Sequence, residues 1–280
     1  MEAAVIIATY NWPRALELAL WGFAAQSVRG FEVIVADDGS GPDTAALVAR
    51  MRPATGLTIQ HVWHPDRGFR KSEILNRAIA AAEREYLIFT DGDLIPRDDF
   101  VATHLRLARR GAYLAGMTVR LPAPVSEAIT PEDVRDGRAT DLRWLRARGL
   151  RPGRHVMRFS RRRWWNTLMD RLTPTPARWR GGNASAWRDD LVAVNGFEMS
   201  MGYGGQDAEI GDRLDNRGVR PIRVRFRAPT VHLYHERPWR DAEEMRRNRE
   251  HRLRVRASGT TRAIRGLAEL EPIPEPVPQG

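Results

Sequence analysis

Short apolar runs and amphipathic stretches alternate along the N-terminal part of the chain. Ala4 to Ala8 is apolar at every position, as in a strand buried on both faces, and a helix is expected after it with Pro13 in its first turn and Leu16, Leu20 and Phe23 on one face. Asn11 stands where its side chain would cap that helix. Further strands are expected over Phe31 to Ala36 and Thr58 to Trp63, and from Lys71 the spacing of Ile74, Leu75, Ala78, Ile79 and Ala82 predicts another helix. That helix delivers the chain to a strand at Tyr86-Leu87-Ile88-Phe89-Thr90, and Pro96 is expected to stop regular structure beyond it.

Alternating strands and helices make an α/β protein with a mostly parallel sheet flanked by helices, in which ligands bind at the carboxyl ends of the strands. Three polar clusters fall at that edge: Thr9-Tyr10-Asn11, Asp37-Asp38-Gly39-Ser40 and Asp91-Gly92-Asp93. Asp-Gly alone is an ordinary turn dipeptide. Three clusters converging on one edge point instead to a nucleotide-phosphate site, where hard carboxylate oxygens would hold Mg²⁺ or Mn²⁺ against phosphate. Arg67, Arg70 and Lys71 either contact a diphosphate or form a solvated basic loop.

Beyond these clusters, Asp98-Asp99 opens a helix on which His104 reads as a packing or surface residue, and Tyr113 to Val119 reads as a strand. Residues 122–180 lose periodicity and gain arginines, with Trp144, Trp164 and Trp165 among them. Such a mixture suits a lipid headgroup boundary or an anionic polymer; alternatively the arginines pair with Glu127, Glu132, Asp133 and Asp136. Glycines return at Gly181-Gly182-Asn183 and Tyr203-Gly204-Gly205-Gln206-Asp207, the latter opening a helix carrying Ile210 and Leu214, with Glu209 spaced to pair with Arg213. Strand alternation over Val231 to His235 would point His232 and His235 to opposite faces. A charged helix is expected over Trp239 to Arg256 and an extended tail over Glu271 to Pro278.

The chain has 280 residues and a formal net charge of +10, carried by arginine because Lys71 is the only lysine. There is no cysteine, so disulfides and thiol chemistry are excluded and any metal must be held by oxygen and histidine. The apolar run at the N-terminus is too short for a signal peptide, and no apolar segment approaches the roughly 20 residues that span a bilayer. A cytoplasmic protein is expected, able to sit peripherally on the inner face of a membrane.

Val5-Ile6-Ile7-Ala8-Thr9-Tyr10-Asn11, Val33-Ile34-Val35-Ala36-Asp37-Asp38-Gly39-Ser40, Gly68-Phe69-Arg70 with Asn76, and Leu87-Ile88-Phe89-Thr90-Asp91-Gly92-Asp93 with Pro96 resemble an inverting family 2 glycosyltransferase of the GT-A fold. Ala8 stands where that family often has proline. Residues 201–214 resemble galactosyltransferase-like enzymes of the chondroitin-polymerase type, with Gln206 in place of the usual Glu. The resemblance implies a UDP-sugar donor with Thr9, Tyr10, Asn11, Asp37 and Asp38 around the base and ribose. Asp91 and Gly92 would lie at the ribose or sugar, and Asp93 would bind Mn²⁺ or Mg²⁺ with His232, Asp91 and His235 being further ligand candidates. Asp207 would be the base, and Gly182, Asn183, Tyr203, Gly204, Gly205 and Gln206 would meet a saccharide or lipid-linked acceptor.

The implied organisation is a nucleotide-sugar half over residues 1–120, an acceptor and catalytic half over 121–240, and a charged helix with a Pro-rich tail over 241–280. The implied activity transfers a hexose or N-acetylhexosamine, galactose-type favoured, in cell-surface polysaccharide or lipopolysaccharide synthesis, with no nucleic-acid partner. Two other readings remain. A basic, non-catalytic protein could bind nucleic acid or an anionic polymer. A haloacid-dehalogenase-type phosphatase also begins with a strand and Asp-x-Asp, but it requires Thr where this chain has Ile95.

Overall fold

The computed structural model describes residues 2–236 and 241–272, with the side chain of Arg154 set aside. The expected order of elements is observed: β1 (Ala3–Thr9), α1 (Pro13–Ala24), β2 (Glu32–Asp37), α2 (Pro42–Thr55), β3 (Thr58–Trp63), α3 (Lys71–Ala81) and β4 (Tyr86–Asp91). Pro96 does not end regular structure immediately after the carboxylates. The chain turns at Gly92 into β5 (Leu94–Pro96), continues through α4 (Phe100–Leu107), and then enters β6 (Ala112–Ala115) and β7 (Thr118–Arg120). The single strand expected over Tyr113 to Val119 is therefore two. They separate at Gly116, whose Cα lies so close to the Asn183 amide that an added Cβ would sit 2.0 Å from its oxygen.

The region without periodicity folds into short helices α5 (Ala123–Glu127), α6 (Pro131–Arg135), α7 (Leu142–Ala147) and α8 (Arg163–Leu172). After it come β8 (Ala184–Trp187), α9 (Arg188–Ala193), α10 (Gln206–Asn216), β9 (Arg220–Arg223), β10 (Thr230–His232) and α11 (Ala242–Ser258). Most of the expected Pro-rich tail, residues 273–280, lies outside the described residues, as do residues 237–240, where the last helix was expected to begin.

One sheet runs in the order β3-β2-β1-β4-β8-β6-β9, and a smaller one runs β5-β10-β7. β1 pairs in parallel with β2 and β4, which aligns Thr9 with Asp37 and Ala8 with Asp91. Three of the polar clusters thus reach one edge by register alone. The small sheet then brings His232 opposite Leu94, one residue beyond Asp93. Hydrophobic layers cover both faces of the large sheet: Ile74, Leu75 and Ile79 of α3 with Ile210 and Leu214 of α10 on one, Leu16, Leu20 and Phe23 of α1 with Phe100 on the other.

A buried ion pair ties α10 to its surroundings. Arg213 is fully buried, its Nε and Nη2 each lie 2.7 Å from a Glu209 oxygen, and it also donates to the Gly196 and Val194 carbonyls. Removing the acid would strand a charge in the core. Glu209→Ala is expected to lower unfolding free energy by about 3–5 kcal/mol, checked by urea titration monitored by circular dichroism.

Candidate active site

The site begins where β1 leaves the sheet. Asn11 adopts φ 45° and does not cap α1; its Oδ1 accepts from the Gly41 N–H at 2.9 Å while its own N–H donates to Ser40 Oγ at 2.8 Å. This stitches the β1 turn to the β2 turn. Asp37 is buried completely, and its oxygens accept from the Ser40 N–H at 2.8 Å and meet His61 Nε2 at 2.9 Å. It shapes the turn from beneath, contrary to the expected contact with a nucleotide. Asp38 sits at the lip, bound by His64 Nε2 at 2.8 Å and the Arg70 N–H at 3.0 Å, with burial pushing its pKa up. Exposed Tyr10 donates its hydroxyl to Asp66 at 2.9 Å, while the Arg67 and Arg70 side chains are exposed.

Lys71 occupies the middle. Its ammonium is 2.6 Å from Asp91 Oδ1 and also feels Asp207 and Asp93; burial alone would pull its pKa down, but the three carboxylates outweigh that and raise it. Asp207 is the counterpart, its pKa raised by burial and by Asp91 and pulled back by Lys71. Among the described residues its Oδ1 is buried without a hydrogen-bond partner, although the carboxylate also feels the Gly181 backbone N–H. Two glycines allow this closeness: a Cβ on Gly181 would lie 2.4 Å from Asp207 Oδ1, and one on Gly182 would lie 2.9 Å from Asp91 Oδ2. Gly92 is equally hemmed in, donating its N–H to the Ala8 carbonyl at 2.7 Å, with Thr9 Oγ1 3.0 Å from where a Cβ would stand.

Asp93, His232 and His235 form a second cluster, with one ligand atom from each lying within 4.8 Å of the others. The expected opposition of the two histidines fails because β10 ends at His232 and the chain then turns, stacking the rings 5.2 Å apart. His232 Nδ1 lies 2.6 Å from the Leu233 carbonyl and His235 Nδ1 2.7 Å from that of Glu236. Since only a protonated nitrogen can bond a carbonyl, each ring in its neutral form turns an Nε2 lone pair toward Asp93 Oδ2, at 3.4 Å and 3.2 Å respectively. Two lone pairs facing a carboxylate need a proton or a cation between them, and Asp93 Oδ1 is buried without a hydrogen-bond partner. The group fits a divalent cation. Asp91 is not in it, being held by Lys71.

The expected acceptor residues divide. Asn183 is fully buried, donating to the Ala228 carbonyl at 2.7 Å, so it holds the fold and does not face a ligand. Gln206 is also buried, and its Oε1 accepts from the Gly204 N–H at 2.9 Å. Gly204 and Gly205 have φ 101° and 97° and back onto Met245 and Arg252 of α11. Glu244 accepts from the Tyr203 N–H at 3.1 Å and Asn248 donates to its carbonyl at 3.1 Å, so α11 clamps the glycine-rich loop against Asp207. Tyr203 meets Phe69 edge-on at 5.5 Å, joining the two halves over the site. In the sequence Phe69 stands only as part of the Gly68-Phe69-Arg70 match, with no site role implied, and neither Glu244 nor Trp12, whose ring lies 5.9 Å from His235, carries a local signal.

A family model described as glycosyl transferase family 2 matches residues 4–165. The chain belongs to that family. A second model, the N-terminal domain of galactosyltransferase, matches residues 175–236, which include Asp207, His232 and His235. Among family 2 relatives, validoxylamine A glucosyltransferase of Streptomyces hygroscopicus is 30% identical over 255 residues, covering 84% of this chain and 56% of that one. Chondroitin synthase of Escherichia coli is 25% identical over 240 residues, covering 77% and 32%. The chain thus spans about half, or less, of these relatives.

The fold is the GT-A fold. Mannosyltransferase PcManGT from Pyrobaculum calidifontis, in complex with GDP-Man and Mn²⁺, superposes with TM-score 0.57 at 20% identity, covering 91% of this chain and 60% of that one. Glucosyl-3-phosphoglycerate synthase from Mycobacterium tuberculosis, in complex with Mn²⁺, UDP and phosphoglyceric acid, does so with TM-score 0.54 at 21% identity, covering 91% and 78%. None of these matches supports the phosphatase or non-catalytic polymer-binding readings.

The Lys71 cluster makes a prediction with a definite sign. Without the ammonium, Asp207 loses the charge that pulls its pKa down, and its folded-state pKa, already raised by burial and by Asp91, rises further above the unfolded one. Such a group destabilises the fold above those pKa values and ceases to do so as pH falls through them. Lys71→Met is therefore expected to lose about 3 kcal/mol at pH 8 and distinctly less at pH 5, read from chelator-treated protein in parallel denaturation curves.

Proposed function

We propose that this chain is a metal-dependent, inverting glycosyltransferase. It moves a hexose or N-acetylhexosamine from a UDP-sugar to a saccharide or lipid-linked acceptor in cell-surface polysaccharide or lipopolysaccharide synthesis. The observation that carries the reading is the pairing of two differently built acidic centres at one sheet edge. Asp93 faces two histidine lone pairs, while Asp207 faces Lys71 and has an oxygen left free. Galactose-type sugars are favoured because the segment bearing Asp207 matches the galactosyltransferase model.

In this reading Thr9, Tyr10, Asn11 and Asp38 line the base and ribose, Arg67 and Arg70 reach the diphosphate, and Asp91 and Gly92 border the sugar. Asp93, His232 and His235 hold Mn²⁺ or Mg²⁺, which when bound neutralises diphosphate charge. Asp207 takes the proton from the acceptor hydroxyl as its oxygen displaces the nucleotide from the opposite face of the anomeric carbon. Lys71 keeps Asp207 ionised despite its burial and anchors Asp91 beside it. Tyr203, Gly182 and the Gly204-Gly205 loop border the acceptor.

A peripheral location on an anionic membrane surface is supported by α8. Trp164, Leu168 and Leu172, spaced four residues apart, are 64%, 40% and 66% exposed, and Arg163 and Arg171 share the helix. Among the described residues no helix is long and apolar enough to cross a membrane.

Asp93→Ala is expected to abolish Mn²⁺-dependent transfer from a panel of UDP-sugars, and turnover equal to wild type would defeat the mechanism. Asp207→Asn should keep UDP and Mn²⁺ binding by calorimetry while transfer drops by a factor on the order of 10²–10⁴. Because the base works ionised and burial raises its pKa, wild-type transfer should fall as pH drops through a midpoint above the ordinary aspartate value, a limb absent from the residual rate of the Asn variant.

A further inference from the structure

Three arginines near the Gly181-Gly182 turn have no carboxylate within ion-pair distance among the described residues. Arg180 directly precedes the turn, and its charge reaches Asp207. Arg158, from the otherwise aperiodic region, is half-buried; its Nη1 donates to the Thr118 carbonyl at 3.0 Å, while its Nε is buried with no partner. Thr118 is also the neighbour that a Cβ on Gly182 would approach, 3.7 Å away, so Arg158 approaches the turn from the β7 side. Arg225 is only 9% exposed, and its Nη2 points at the thioether of Met117 at 2.7 Å, a weak acceptor for a guanidinium.

Among the described residues none of the three forms an ion pair with a carboxylate, and the nearby Asp170 is taken by Arg227 at 2.7 Å. Burial, then Arg225 and Arg180, push the Arg158 guanidinium down to about 10. Burial, Arg180 and Arg223 likewise depress Arg225. A different basic pocket, lined by Arg97, Arg161 and Arg227 among others, shows the contrast: these three are paired with Asp99, Asp98 and Asp170. Arg180 is exposed, but Arg158 is half-buried and Arg225 buried, and cations withdrawn from water that repel one another and lack a carboxylate partner are stabilised by an anion.

Arg180 joins the cluster to Asp207: the next residue, Gly181, packs so closely on that carboxylate that a Cβ there would stand 2.4 Å from its Oδ1, and the Arg180 charge reaches it. We infer that Arg158, Arg180 and Arg225 form an anion-recognition subsite, so that the acceptor is a saccharide bearing a carboxylate or a phosphate. This rests on the glycosyltransferase reading, which places the acceptor at Asp207. Bidentate guanidinium contacts suit both anions, and they would fix which hydroxyl of the acceptor meets the base.

The test compares glucose, glucuronate and glucose 6-phosphate by calorimetry on the full chain with Mn²⁺ and UDP present. At least one anionic sugar should bind about tenfold more tightly than glucose, and which one does so distinguishes carboxylate from phosphate. In Arg158→Gln and Arg225→Gln that preference should shrink to about twofold or less, with UDP binding unchanged, and Arg225→Lys should retain part of it. Absence of anion preference in wild type, whether all three sugars bind equally or none binds, overturns the subsite. So does a preference that survives in both Gln variants, or a loss of UDP binding in folded variants, which would assign the arginines to the donor. Failure of wild type to bind UDP with Mn²⁺ would instead undo the glycosyltransferase reading itself.

Discussion

Everything at the carboxyl edge of the sheet depends on one buried ammonium. Lys71 opens α3, where the helix dipole and burial both disfavour a cation. It is retained because Asp91, Asp93 and Asp207 converge there from β4, the β4–β5 turn and the start of α10. The dependence is mutual, since three carboxylates gathered in a dry cleft could not all stay ionised without a positive charge among them. Glycine at 181 and 182 gives the acids room, and α11 holds the loop that carries Asp207.

Around that centre the charges are segregated. The histidine pair turns its lone pairs to Asp93, a donor set that favours a metal ion, while the uncompensated arginines gather on the side of Asp207. Lys71 stands between the two zones and belongs to neither.

The first four strands, with helices α1 and α3, were legible in the sequence because their signals are local. Apolar runs ending in polar clusters fixed β1 to β4, and parallel pairing did the rest. The small sheet was less readable. Its strands β5, β7 and β10 have three residues each, too short to show a period, and they form by pairing with one another. That is why the two histidines were expected on opposite faces: alternation was assumed past the point where the strand stops. Asn183, Gln206 and Asp37 were read as ligand contacts because polar residues beside glycine look alike whether they face a substrate or satisfy buried backbone; only burial distinguishes the two. Lys71 was marked as a diphosphate contact, and its role among three acids could not be seen before Asp207, far along the chain, was brought beside it.

The contact between Gly92 and Thr9 has an evolutionary corollary. The middle position of the Asp-Gly-Asp turn is packed against the end of β1, with the Ala8 carbonyl and the Thr9 side chain closing off the space for a Cβ. A larger residue could enter at 92 if Thr9 gave way by a few tenths of an ångström, and more readily once position 9 had become smaller. The two sites, more than eighty residues apart, are therefore epistatic. Drift at the end of β1 is constrained by the acidic turn, and the order in which substitutions arrive decides which ones persist most readily.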